Sequence, residues 1–424
     1  MQSADIHHLE LILLFMMVLV VALAAMARWF KTPYPIVLVI GGLAVSMLPN
    51  VPRIALNPDI VFLVLLPPLL FAAAFHTPWQ SFYRSLTRSS MMAFGLVGFS
   101  VAGVSWVTGR LLPGFDFRLG SVLGALVAST DAIAATAIAK RMRLPKRITD
   151  VLEGESLLND ATSLLALEFS VAMLVSDSRP ALGAGLLRLF VLVAGGVLVG
   201  LLAGRIIRWC QTRLTDAPLE ITLTLLAPYV AYLAAEGLHT SGVLATVVCG
   251  LYVGEKQSVS LTARARTEAH AVWHTLDFVL NGAVFMLIGF QLPYVLEGIK
   301  DMGTKELLFD ASILAGLLIA MRFVWVYAVT WIAFAIRRLM RRSVEGPRAN
   351  ETFVIGWTGM RGVIALAAAM SLPQSLDNGN AFPQRDLLIF LTFSVILITL
   401  VAQGLSLPFL IRKVGLLPRE SAHP

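Results

Sequence analysis

Gly154-Glu155-Ser156-Leu157-Leu158-Asn159-Asp160 sets two carboxylates and an amide inside an apolar run covering about 148–175. Another acid, Asp131, follows Ser129 and Thr130 in the apolar run just upstream. On insertion scales an acid at bilayer depth costs about 2.5 kcal/mol or more, so it persists where it faces a protein interior or an aqueous path. These acids therefore point to a membrane protein with a polar centre, and to an ion route through it.

The rest of the chain agrees: it reads as an all-α polytopic membrane protein. Hydrophobic residues make up 57% of the 424 and charged ones 14%, and mean hydropathy is +0.79, outside soluble-domain usage. Runs able to cross a hydrocarbon layer of about 30 Å fall at roughly 10–27, 35–49, 59–76, 90–110, 119–139, 148–175, 181–207, 219–236, 240–254, 268–291, 307–336, 352–372 and 386–411, thirteen in all. With the N-terminus outside and the C-terminus cytoplasmic, 23 Lys and Arg fall on the inner side and 7 on the outer, the bias that orients helical membrane proteins. Arg188, Arg322 and Arg361 lie within spans. The net charge of +7 is thus a topological feature and an attraction to anionic lipid; nothing in it points to nucleic acid. Cys210 and Cys249 read as small buried residues. The first run has no basic segment before it and ends in Arg28, so it reads as a retained helix and not a signal peptide.

Thirteen spans divide as six, one and six: 1–176, a linker helix in 177–217, 218–415, and a short cytoplasmic tail at 416–424. An odd helix inverts the second half against the first, a common plan among secondary transporters. Span 5 then pairs with span 12. Span 5 holds Thr130 and Asp131 at its centre, and span 12 reads Gly356-Trp357-Thr358-Gly359-Met360-Arg361-Gly362. Glycine weakens a helix by about 1 kcal/mol relative to alanine, and a central charge adds to that cost. Both spans are predicted to break at the midplane, freeing amides and carbonyls to line a cavity.

At 1.5 Å of rise per residue, Asp131, Asp160 and Arg361 all fall roughly 14–18 Å into their spans, near the bilayer centre. Ser156 and Asp160 are four apart on span 6, as are Glu155 and Asn159, giving two adjacent polar ridges. Carboxylates, hydroxyls, an amide oxygen and freed carbonyls are hard ligands for a small cation, with no Cys or His cluster to favour a soft metal. Asp131 and Asp160, desolvated and close together, do not both stay ionised easily, so a cation and a proton compete for the same oxygens. Glu155 with Arg361 is the expected neutralising pair, with Asp277 as a competitor for the arginine.

Ser129 to Ala132, Gly154 to Asp160 and Gly356 to Gly362 together resemble the monovalent cation:proton antiporter superfamily, in its sodium/proton exchanger branch with the Asn-Asp pair. The likeness covers essentially the whole chain, including Pro67, Pro68, Asn281, Phe285 and Gly289. It implies two inverted six-helix repeats with helices 5 and 12 broken. It also implies a core of spans 4–6 and 11–13, a scaffold of spans 1–3 and 8–10, and a homodimer in a bacterial inner membrane. Carried over by motif, Asp160 binds the cation or the proton, and Asp131 and Thr130 sit at the crossing of the broken helices. Ser156 helps to ligate, so that Asp160, Asp131, Ser156 and Thr130 form the sodium ligand set. Glu155 pairs with Arg361, and Asn159 marks the electroneutral branch. The activity implied is secondary antiport of sodium, with lithium as a further substrate, for protons. It calls for no cofactor and no enzymatic chemistry.

One departure is that Leu69 to Phe75 carries no acid after the Pro-Pro pair; Ala72, Ala73 and Ala74 stand there, and His76 is the nearest polar group. Arg322, beside Trp325 and Tyr327, reads as a packing or snorkelling group. Glu168 falls toward the outer half of span 6, and Glu236 and His239 at an outer boundary. A potassium/proton antiporter is the nearest rival. An intramembrane aspartyl protease would need a Gly-x-Gly-Asp element, which is missing, and a channel would show a pore loop.

Overall fold

The computed structural model describes residues 3–30, 32–48, 58–80, 83, 89–175, 182–300, 303–339, 346, 348–376 and 380–416. Among these the protein is helical, with one isolated antiparallel bridge between Ser375 and Ala381. In chain order the helices are α1 Ser3–Trp29, α2 Tyr34–Ser46, α3 Pro58–His76, α4 Met91–Leu111, α5 Phe117–Ala128, α6 Ala132–Arg141 and α7 Lys146–Val175. There follow α8 Leu182–Gln211, α9 Ala217–Gly237, α10 Gly242–Ser260, α11 Ala263–Phe290 with a short helical continuation Leu292–Gly298, α12 Thr304–Leu339, α13 Ala349–Trp357, α14 Val363–Met370 and α15 Arg385–Val414. Among the described residues, nine helical stretches are long and apolar enough to cross a membrane, taking α5 and α6 as one; α1 and α2 add shorter apolar segments. Lys31, Arg53, Arg84, Arg88, Arg179, Arg341, Arg342 and Arg419, which enter the charge bias, lie outside the described residues, as does the tail from residue 417.

The chain forms two compact units, each drawn from both halves of the sequence. Met1–Phe82 with Arg179–Glu297 makes the first, holding α1–α3 and α8–α11. Its interior joins Phe71, Phe75, Cys249 and Trp273, and the Trp273 indole N–H donates to the Thr224 hydroxyl at 3.0 Å. Where α2 meets α11, a Cβ at Gly289 would stand 2.4 Å from the Val39 carbonyl oxygen; only glycine lets these backbones approach so closely. Pro67 and Pro68 follow a π-helical turn at Val61–Leu65, where the ladder is already interrupted and their missing N–H groups cost least. His76 hydrogen-bonds the Ala72 carbonyl through Nδ1 at 2.7 Å.

Tyr83–Ser178 with Gly298–Pro424 makes the second unit, holding α4–α7 and α12–α15. It contains both interruptions. α5, N-capped by Asp116 on the Leu119 N–H at 2.8 Å, ends at Ala128, and helix resumes only at Ala132. α13 ends at Trp357, and Gly362 opens α14 from an extended conformation. At the far end of α14 the Arg385 guanidinium donates to the Met370 and Leu372 carbonyls at 2.9 and 3.0 Å, satisfying acceptors that a helix C-terminus leaves open.

Candidate functional site

The two breaks meet inside the second unit. Asp131 starts α6 as its N-cap, its Oδ1 accepting the Ile133 N–H at 2.7 Å, while its own N–H donates to the Met360 carbonyl at 2.8 Å. A Cβ at Gly362 would lie 2.6 Å from the Asp131 side chain, so the crossing is shaped to glycine. Gly362→Ala is expected to lower stability by about 1–3 kcal/mol, the usual cost of overpacking, read as a lower melting temperature in detergent. Gly98→Ala, whose added methyl meets nothing within 4 Å, is the control and does not lower it, since alanine suits a helix interior better than glycine.

The charges pair differently from the sequence expectation. Glu155 does not pair with Arg361: it holds Arg322 in a bidentate bridge, at 2.5 Å from Nη1 and 3.0 Å from Nη2, with both side chains 1% exposed. Arg322, read from sequence as a packing or snorkelling group, is thus the buried partner; its Nε also donates to the Ile355 carbonyl at 3.2 Å. Arg361 turns to the end of α5, its Nη1 donating to the carbonyls of Ala128 and Ser129 at 2.7 and 3.0 Å. The reason is geometric. Breaking α5 leaves carbonyls at its C-terminus with no amide partner and a partial negative charge, and Arg361, on the facing break, reaches them directly. Its backbone N–H donates to the Thr399 hydroxyl at 3.2 Å.

A polar chain links the remaining residues. Asn159 donates through Nδ2 to the Thr130 hydroxyl at 2.7 Å and to the Ala128 carbonyl at 3.3 Å. Thr130 donates in turn to Glu155 Oε1 at 3.1 Å. Asn159 is fully buried with Oδ1 unpartnered. Asp160 is 6% exposed, and its Oδ1 accepts the Ser129 hydroxyl at 2.6 Å. Among the described residues it forms no ion pair; Arg322 and Arg361 are engaged elsewhere. Asp131 follows Ser129, the donor to Asp160, by two residues. Ser156, half-buried one turn before Asp160, joins none of these bonds. Of the seven predicted site residues, Thr130, Glu155, Asn159, Asp160 and Arg361 fall in one buried cluster, with Asp131 and Ser156 half-buried at its edge.

The sodium/hydrogen exchanger transmembrane family profile matches residues 15–413. The chain belongs to the sodium/hydrogen exchanger family. An uncharacterized Na+/H+ exchanger of Mycobacterium tuberculosis is 34% identical over 97% of this chain and 77% of its own length. A sodium, potassium, lithium and rubidium/H+ antiporter of Bacillus pumilus is 32% identical over 90% of this chain and 58% of its own. A Na+/H+ antiporter of Aphanothece halophytica is 30% identical over 94% of this chain and 73% of its own. In fold, the exchanger matches a sodium proton antiporter of Methanocaldococcus jannaschii, solved at pH 8, with a TM-score of 0.72 at 18% identity, over 95% of this chain and 98% of that one.

Three residues bonded to the candidate site were not among those expected from sequence: Arg322, Ser129 and Thr399. Arg322 carried the same warning as Arg361, a guanidinium in an apolar span that needs a buried partner, but no acid near it in sequence. Ser129 stood inside the quoted motif, and its hydroxyl is the one donor Asp160 receives among the described residues. Thr399 carried no signal, since a lone threonine in an apolar helix usually bonds its own backbone.

Proposed function

We propose that the exchanger carries sodium, with lithium as a second substrate, against protons by alternating access, one cation for one proton. Both compete for Asp160. The observation that carries this reading is that Asp160 is buried with one hydroxyl donor and no ion pair, while Arg322 and Arg361 serve other partners. A bare carboxylate out of water costs several kcal/mol, so it calls for a mobile positive charge. Charge counting supports the stoichiometry. Glu155 is cancelled by Arg322, and Asp160, held by a hydroxyl, is the acid left for one alkali ion or one proton to neutralise. Asn159, uncharged, adds no second site. Once loaded, the neutral centre can pass the low-dielectric barrier, whereas the empty one is held back by desolvation. Asp131, Thr130, Ser156 and Ser129 offer further hard oxygens to the ion.

The finer architecture belongs to the same proposal: thirteen spans in two inverted six-helix repeats, N-terminus outside and C-terminus in the cytoplasm. Spans 4–6 and 11–13 form the transporting core and spans 1–3 and 8–10 a dimerising scaffold, in a bacterial inner membrane. The assay is proteoliposomes with an internal fluorescent proton reporter, in which an imposed sodium gradient is expected to drive proton movement without building a membrane potential. Competition at one carboxylate further requires that the apparent KM for sodium rise about tenfold per pH unit below the acid's titration range. A KM unchanged between acid and neutral pH would contradict a shared site.

Potassium is the second reading. It is favoured by the Bacillus pumilus relative, whose name includes potassium and rubidium beside sodium and lithium. Rates with the four chloride salts in the same liposomes separate the two.

A further inference from the structure

The C-terminal end of α8 carries charge that no acid among the described residues answers. Arg205 and Arg208 lie three apart on one helix face, Arg208 Nη1 donating to the Tyr252 hydroxyl of α10 at 3.4 Å, with the Arg205 charge also acting on that hydroxyl. Tyr252 reaches this position because its ring lies over Gly204, where a Cβ would come within 2.9 Å of it. No ion pair to Arg205 or Arg208 forms among the described residues. Two like charges sharing one neutral acceptor repel one another, and a C-terminal helix end alone does not explain why α10 supplies an oxygen between them. Arg208 is half-buried, so solvent screens it incompletely. A forked pair of guanidiniums beside a hydroxyl is the donor set that fits phosphate.

The same helix shows where such a phosphate would come from. Leu198, Leu202, Ile206 and Trp209 recur at helical spacing on one face and are 58%, 51%, 58% and 57% exposed. That stripe runs along the apolar body of α8 and ends beside the arginines. Trp209, with Arg213 stacked over its ring at 4.7 Å, is the residue type found at headgroup depth. Acyl chains would lie along the stripe and the headgroup against Arg205, Arg208 and Tyr252.

We propose that this end of α8 is a binding site for an anionic phospholipid, recognised through its phosphate. The site is independent of which ion the exchanger carries.

The test is native mass spectrometry of the full chain in neutral detergent, titrated with phosphatidylglycerol or phosphatidylcholine. Wild type is expected to retain phosphatidylglycerol and not phosphatidylcholine, and the Arg205→Gln/Arg208→Gln double variant to lose roughly thirtyfold in phosphatidylglycerol affinity, about fivefold from either single change, at an unchanged melting temperature. Tyr252→Phe, which keeps the ring, is expected to lose less. Equal retention by wild type and double variant would overturn the proposal. So would displacement of the lipid by equimolar inorganic phosphate, which would make this a free-anion site, or loss of a dimer in the double variant without bound lipid, which would make it a protein interface.

Discussion

Asp160→Asn is expected to reduce sodium-driven proton movement to the level of empty liposomes while leaving the protein folded. The amide has the size of the carboxylate, and its oxygen can still accept the Ser129 hydroxyl now found at 2.6 Å, so the local packing survives. What disappears is the negative charge, and with it the group that can hold either ion. Two measurements decide the outcome together: transport in proteoliposomes and melting temperature in detergent. Residual exchange near the wild-type rate would move the binding acid elsewhere, with Asp131 the next candidate. Asp131→Asn makes a useful contrast, because that side chain also caps α6 through Ile133. The amide oxygen preserves the cap, so a defect there would report on charge and not on the broken helix.

The second large effect concerns the bridge between Glu155 and Arg322. Removing either partner alone leaves the other charge buried and uncompensated, and Glu155→Ala or Arg322→Ala is expected to cost about 3–5 kcal/mol, a large share of the stability of a marginally stable protein. Thr130 adds to the loss, since its hydroxyl donates to the same carboxylate. Replacing both by apolar residues of similar volume, Glu155→Leu with Arg322→Met, is expected to recover most of that stability. A double-mutant cycle on thermal stability therefore shows strong coupling between 155 and 322 and much weaker coupling between 155 and 361. The reverse order would restore the pairing that sequence position suggests. Arg361→Ala acts through different partners, the Ala128 and Ser129 carbonyls, and is expected to loosen the end of α5 first.

Much of this was legible before any coordinates. Asp131 and Asp160 declared themselves because hydrocarbon tolerates acids only where they are used or satisfied. The interruptions at Ser129–Asp131 and Thr358–Gly362 were legible because glycines and charges in mid-span weaken helix locally, a cost visible in the residues themselves. The partner of Glu155 was not. Arg361 and Arg322 are both intramembrane arginines far away in sequence, and composition gives no distance between them. The choice turned on the open carbonyls of α5, which exist only once that helix is broken and which claim Arg361 by proximity.

Sequence alone determined that this chain is a helical membrane protein of the sodium/hydrogen exchanger type and which acids lie at its centre. Hydrophobicity, helix weakness and the cost of burying charge are properties of individual residues and their near neighbours. Tertiary structure alone decided who pairs with whom: Arg322 with Glu155, Arg361 with a helix end, Ser129 with Asp160, and Asp160 with no arginine at all. Those choices depend on angstrom-scale approach between segments more than a hundred residues apart, or across a turn that only the broken helix makes, and no local pattern encodes such distances.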